Sequence, residues 1–130
     1  MCVKKIILLI DDDEDEFEIF IEALHAGHCT CDCMFANSSE QALNLLCYTV
    51  PDFIFIDYNM PKTNGLKCLT KIKQLNNQKH VPVFLYSTGL TDELCKLAIS
   101  LGAESCISKP YDFPSLARIL HQVVTSDRKN

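Results

Sequence analysis

A chain of 130 residues with 48% hydrophobic content is long enough to bury one core and too short for two. Its net charge of −5 argues against a nucleic-acid duplex or an anionic membrane surface as the main partner, and no apolar run approaches the ~20 residues of a membrane span. Lys4 and Lys5 precede an apolar run at 6–10 that is too short for a signal peptide and ends in acid, so a cytoplasmic location is expected.

Residues 6–10 read as a strand buried on both faces of a parallel sheet. An acidic stretch from Asp11 to Glu16 follows, then a helical stripe of Phe17, Phe20, Ile21 and Leu24. Residues 31–35 form a weaker second strand, called for mainly by the alternation of elements. Ser38 followed by Gln41 is a capping-box signal for a second helix carrying Ala42, Leu45 and Leu46. Residues 53–56 are a third buried strand running into Asp57, and Leu66, Leu69 and Ile72 mark a third helix starting after Gly65.

The fourth strand, 81–86, delivers Ser87 and Thr88. Leu94, Leu97, Ala98 and Leu101 give the next helical stripe, stopped by Gly102. Residues 105–107 are a second weak strand, leading to Lys109 and Pro110. Asp112 then starts a last helix with the stripe Leu116, Ile119, Leu120 and Val123, before a mildly basic tail at Arg128 and Lys129. All these stripes are expected to be core. Five βα units in succession imply a parallel sheet with helices on both faces. The chain is too short for an eight-unit barrel, so the expected fold is an open, doubly wound α/β sheet in a single domain.

Eight cysteines invite a disulfide reading, but without an export signal reduced thiols are the better expectation. Cys29, Cys31 and Cys33 alternate and so share one face of a strand, where they pair poorly with each other. With His25 and His28 nearby a zinc site is imaginable, yet no C-x2-C pair exists, and small apolar filler is the favoured reading.

In doubly wound sheets ligands bind beyond the carboxyl ends of the strands, where the strand order reverses. Here those ends carry Asp11 and Asp12, Asp57, Ser87 and Thr88, and Lys109. If the first and third strands are neighbours, ~4.8 Å apart, Asp12 and Asp57 come close together. Like charges ~4 Å apart repel by about 4 kcal/mol at an effective dielectric near 20, so the carboxylates need a cation. Lys109 neutralises one charge, and Mg²⁺ suits one or two carboxylates plus water and a phosphoryl oxygen. An Asp carboxylate is a nucleophile toward phosphorus, and the metal, Lys109 and Ser87 could share the oxygens of the resulting acyl phosphate.

Taken singly, each residue has a plainer explanation. Asp13, Glu14, Asp15 and Glu16 read as a solvated helix N-terminus, Asp57 as a turn residue, Ser87 and Thr88 as a cap, and Lys109 as surface charge. Their joint placement at four strand ends is what is specific. Asp11, Asp13, Asp15 and Glu22 imitate an EF-hand loop, but Glu16 falls where Gly is required and a strand precedes. A haloacid-dehalogenase-type phosphatase would need an acid two residues after the nucleophile, where this chain has Asn59, and a late acidic pair.

The chain resembles the receiver domain of two-component response regulators, the chemotaxis and single-domain type included, from Lys4 to about Val124. Ile-Leu-Leu-Ile-Asp-Asp-Asp from Ile7, Ile-Asp-Tyr-Asn-Met-Pro-Lys-Thr-Asn-Gly from Ile56, Pro-Val-Phe-Leu-Tyr-Ser-Thr from Pro82, and Lys109 with Pro110 carry the resemblance. It implies a flavodoxin-like (βα)5 fold with strand order 2-1-3-4-5; no output domain is expected after the last helix. It also implies Asp57 as phosphoacceptor, supplied by a sensor histidine kinase or a histidine phosphotransfer protein. Mg²⁺ (or Mn²⁺) would be held by Asp12 directly, Asp11 through water, Asp57, and the backbone carbonyl of Asn59. Ser87, with Thr88, and Lys109 would bind the phosphoryl group, and Asn59 and Gly89 would tune its lifetime.

The resemblance further implies a cis peptide between Lys109 and Pro110. It makes the chain a signalling domain rather than an enzyme, one that assists its own phosphotransfer and dephosphorylation and passes its signal to a downstream protein by contact. Where the family often has an aromatic residue, three positions before the Lys, this chain has Cys106, so output is expected through Tyr86, Tyr111 or the loop at Gly89. The alternative is a receiver-shaped interaction module that never turns over phosphate, against which stand six intact pocket positions.

Overall fold

Buried apolar runs and helix caps set the element order in the computed structural model, which describes residues 4–60 and 64–126. Residues 61–63 of the motif after Asp57, and the basic pair Arg128 and Lys129, lie outside the described residues. The order is β1 (Lys5–Ile10), α1 (Glu14–Ala26), β2 (Cys31–Ala36), α2 (Ser39–Leu46), β3 (Phe53–Ile56), α3 (Gly65–Lys73), β4 (Val83–Ser87), α4 (Asp92–Ser100), β5 (Ser105–Ser108) and α5 (Phe113–Thr125). All pairings are parallel and the sheet runs β2-β1-β3-β4-β5, the expected doubly wound topology.

Alternation along the strands splits the core into two layers. Leu8, Ile10, Ile54, Ile56, Val83 and Leu85 face α2, α3 and α4, while Ile7, Leu9, Phe53, Phe55, Phe84 and Tyr86 face α1 and α5. Because both faces are covered, the central strands read as unbroken apolar runs. Cys29, Cys31 and Cys33 belong to the α1–α5 layer, and every cysteine among the described residues is a free thiol.

Each of the five α-helices starts on a side-chain cap worth about 1 kcal/mol. Asp13 accepts from the Asp15 N–H, Ser38 from Gln41, Asn64 from Lys67, Thr91 from Leu94, and Asp112 from Ser115. Gly102 ends the α4 turn at φ +115°, where a Cβ would sit 2.9 Å from Lys73 Cγ. None of the helices among the described residues is long and apolar enough to cross a membrane.

Several sequence expectations need correction. β4 begins at Val83 rather than at 81, because the Val81 N–H turns back to the Gln78 carbonyl and Pro82 has no N–H for a ladder. α3 begins on Gly65 itself, capped by Asn64. Leu97 is 48% exposed and is not core, since α4 turns Ala98 inward with Leu94 and Leu101 packing beside it. No cis peptide occurs among the described residues, so Lys109 and Pro110 are joined in trans. That isomer is favoured by about 0.5–1 kcal/mol, and with it the Lys109 N–H still donates to the Ser87 carbonyl at 3.0 Å.

Candidate functional site

The strand order reverses between β1 and β3, and their register sets Ile10 opposite Ile56. Hydrogen bonding continues one residue further: the Asp57 N–H donates to the Ile10 carbonyl at 2.9 Å, and the Asp11 N–H to the Ala36 carbonyl at 3.0 Å. Two carboxylates are thereby fixed by backbone at the switch point. Asp12 joins them from the loop before α1. Oxygens of Asp11, Asp12 and Asp57 lie within 4.8 Å of one another, with Asp11 and Asp57 buried and Asp12 exposed.

β4 and β5 supply the polar partners. Ser87, fully buried, donates from Oγ to Asp57 Oδ1 at 2.9 Å, and the Asn59 N–H donates to the same oxygen at 3.2 Å. The Asn59 amide also donates to Ser87 Oγ at 3.2 Å. Lys109 Nζ lies 3.0 Å from Asp11 Oδ2, 3.4 Å from Glu16 Oε1 and 3.8 Å from Asp57 Oδ2. The same ammonium sits over the Tyr86 ring, 5.3 Å from its centroid.

The electrostatics follow from burial. Burial pushes the Asp11 carboxyl up to about 6, and the Asp57 charge adds to this against the hydrogen bond and charge of Lys109. For Lys109, burial works to lower the pKa. The Asp11 hydrogen bond and the charges of Asp11, Asp57 and Glu16 overcome it, so the ammonium is held above its ordinary value. The Tyr86 phenol is raised, first by burial and then by the charges of Glu16, Asp11 and Asp57. One ammonium thus faces three carboxylates, and Asp12 adds a fourth to the pocket. The surplus negative charge and the all-oxygen donor set fit a hard divalent cation such as Mg²⁺ or Mn²⁺.

Asp11, Asp12, Asp57, Asn59, Ser87 and Lys109 are therefore brought together. Thr88 and Gly89 lie exposed at the rim, Gly89 at φ +68° with open space around it. Tyr86 is buried among Phe20 and Phe55 under the pocket, whereas Tyr111 is fully exposed. Cys106 lies on the other layer, packed against the α2–α3–α4 core. Its thiol is pushed up to about 12 by burial and by a hydrogen bond with Cys95.

Two contributors escaped the sequence reading. Glu16, expected to be a solvated helix-end acid, is instead a partner of Lys109, its side chain in the first turn of α1 lying 3.4 Å from Nζ. Asp13 is exposed and caps that turn, as a residue of a solvated helix N-terminus does. Gly65 does more than mark a helix start: a Cβ there would meet the Asp57 carbonyl oxygen at 2.7 Å and Tyr58 Cα at 2.8 Å. Only glycine lets α3 pack this closely on the Asp57 loop, where its N–H donates to the Tyr58 carbonyl at 3.0 Å.

Fold and site together define a flavodoxin-like (βα)5 protein with an acidic, lysine-bearing pocket at its switch point. The family model described as the response regulator receiver domain matches residues 7–121, and the chain belongs to that family, a signalling module of two-component systems. It is similar to the sensory/regulatory protein RpfC of Xanthomonas campestris, 26% identical over 131 residues, covering 98% of this chain and 18% of RpfC. It is likewise similar to the phosphate regulon transcriptional regulatory protein PhoB of Pseudomonas aeruginosa, 26% identical over 123 residues, covering 94% of this chain and 52% of PhoB. The chain thus spans about half or less of the length of these curated relatives. Among solved structures, the phosphorylated cyanobacterial phytochrome response regulator RcpA shares the fold, with a TM-score of 0.85, 23% identity and 98% of both chains covered.

Proposed function

We propose that Asp57 accepts a phosphoryl group from a phosphohistidine donor, a sensor kinase or a histidine phosphotransfer protein, and that the signal then passes to a downstream protein by contact. One observation carries the reading. A buried carboxylate sits within 4.8 Å of two others, 2.9 Å from a buried hydroxyl and 3.8 Å from an ammonium, gathered beyond the carboxyl ends of parallel strands.

Asp57 Oδ1 already accepts two hydrogen bonds, so Oδ2 is the oxygen proposed to attack. It forms the new O–P bond as the P–N bond to the donor imidazole breaks, and the imidazole takes its proton from solvent. Asp12 directly, Asp11 through water, Asp57 and the Asn59 carbonyl would hold Mg²⁺ or Mn²⁺. The cation would supply neutralising charge for the transferred oxygens. Ser87 then turns its Oγ–H to a phosphoryl oxygen, a hydrogen bond to a charged group worth about 1.5–3 kcal/mol, with Thr88 at the rim and Lys109 as the opposing charge. The Asn59 side chain and the bare backbone at Gly89 govern water access. Movement of Ser87 reaches the surface through the Gly89 loop, with Tyr86, Cys106 and Tyr111 as the candidate output residues.

The test is incubation with acetyl phosphate, with and without Mg²⁺, followed by intact mass measurement. A Mg²⁺-dependent gain of one acid-labile phosphoryl group, lost in Asp57→Asn, supports the reading. A wild-type protein that gains none, with its fold intact, refutes it.

A further inference from the structure

We propose that Glu16 is a positioning residue for Lys109, the counter-ion that holds its ammonium against the Tyr86 ring and that the ammonium gives up when Asp57 carries a phosphoryl group. The exchange rests on the reading of Asp57 as phosphoacceptor; the pairing itself does not.

An ammonium has three N–H donors, and three carboxylates stand around that of Lys109, Asp11 at 3.0 Å, Glu16 at 3.4 Å and Asp57 at 3.8 Å. Two of the three belong to the acidic trio that suits a divalent cation. Glu16 does not, so it alone stays available to Lys109 when the others are drawn to a metal. Its place is set locally: Asp13 caps α1, the Glu16 N–H donates to the Asp13 carbonyl at 3.1 Å, and the side chain is turned into the pocket. Glu14 and Asp15 of the same turn are exposed, whereas Glu16 is only 31% exposed in its side chain. The Tyr86 ring, locked by edge contacts to Phe20 and Phe55, closes the cradle from below.

A lysine held this way is committed before any substrate arrives. A phosphoryl group on Asp57 would have to draw the ammonium from Glu16, so the Glu16 carboxylate weakens the phosphorylated state. Glu16→Gln keeps the shape and removes that competitor. Removing an acid also changes the overall field, and Glu14→Gln controls for this, since Glu14 is exposed on the same turn.

Two measurements test the proposal. The first is a double-mutant cycle of Glu16→Gln and Lys109→Met by urea unfolding in EDTA, which needs no phosphorylation. The expected result is non-additivity, and additive effects would overturn the pairing. The second is the lifetime of the acyl phosphate after labelling with acetyl phosphate and Mg²⁺. Glu16→Gln is expected to lengthen it by roughly threefold, the scale of a partly exposed ion pair, with Glu14→Gln unchanged. Equal effects in both variants, or none in Glu16→Gln, would overturn the exchange. If the wild type takes up no phosphate, the exchange falls with the phosphoacceptor reading, and the unfolding cycle alone decides the pairing.

Discussion

In the metal-free protein, Asp57→Asn is expected to raise stability, because the Asp57 carboxylate is placed for chemistry rather than for packing. Carboxylate oxygens within 4.8 Å repel by about 3.5 kcal/mol per pair at an effective dielectric near 20, and Asp57 has two such neighbours. Its attraction to Lys109 at 3.8 Å is worth about 4.4 kcal/mol on the same scale. Repulsion therefore wins by roughly 2–3 kcal/mol. The Asn carbonyl still accepts from Ser87 Oγ and the Asn59 N–H, though more weakly by about 1 kcal/mol. The net gain is about 1–2 kcal/mol, shrinking as salt screens the exposed Asp12. Urea unfolding in EDTA at low salt measures it directly. Millimolar Mg²⁺ should then raise the wild-type midpoint and move the variant far less, through linkage to the native state. A variant less stable than wild type by about 1 kcal/mol or more in EDTA would refute the reasoning, since Asp57 would then act as a structural counter-ion of Lys109.

Gly65→Ala should cost about 1–3 kcal/mol and shift the amide resonances of residues 57–60, because the atoms its Cβ would strike at 2.7 and 2.8 Å are backbone; an unchanged spectrum would mean that the close approach does not exist. Ser87→Ala leaves the Asn59 amide without its acceptor and Asp57 Oδ1 with one donor fewer, so a loss of about 1–2 kcal/mol in urea and a shorter-lived phosphoryl group are expected. Burial raises the Cys31 and Cys33 thiols to about 11 and about 12, so near pH 8 both stay protonated and become thiolate only as pH climbs toward those values. Mass-resolved alkylation with iodoacetamide should therefore mark exposed Cys47 well before either, and a Cys33 that reacts as fast as Cys47 would contradict its placement.

The fold was readable where physics forces a one-to-one pattern. β1, β3 and β4 are covered on both faces, so burial writes itself as a continuous apolar run. The edge strands β2 and β5 are only half-buried, which is why their segments looked weak. Leu97 misled because its spacing from Leu94 and Leu101 fits a stripe, yet the inward face of α4 is centred on Ala98. The pocket was legible because most of its side chains directly follow a strand. Glu16 was not, since its partner is far along the chain, after β5, and an acid in a first helical turn already has a sufficient local reason. Nor does sequence show how near Gly65 comes to Asp57, because that distance depends on how α3 docks. The isomer of the bond before Pro110 is no better specified, being separated by only about 0.5–1 kcal/mol.

The central claim is that one carboxylate among three clustered ones becomes the acyl phosphate, and trapping that bond tests it most directly. After labelling with acetyl phosphate and Mg²⁺, borohydride reduces an aspartyl phosphate to homoserine, which peptide mass mapping locates. The account predicts homoserine at position 57 and unmodified Asp11 and Asp12. Reduction at either of those residues, or none anywhere in a labelled protein, would contradict it.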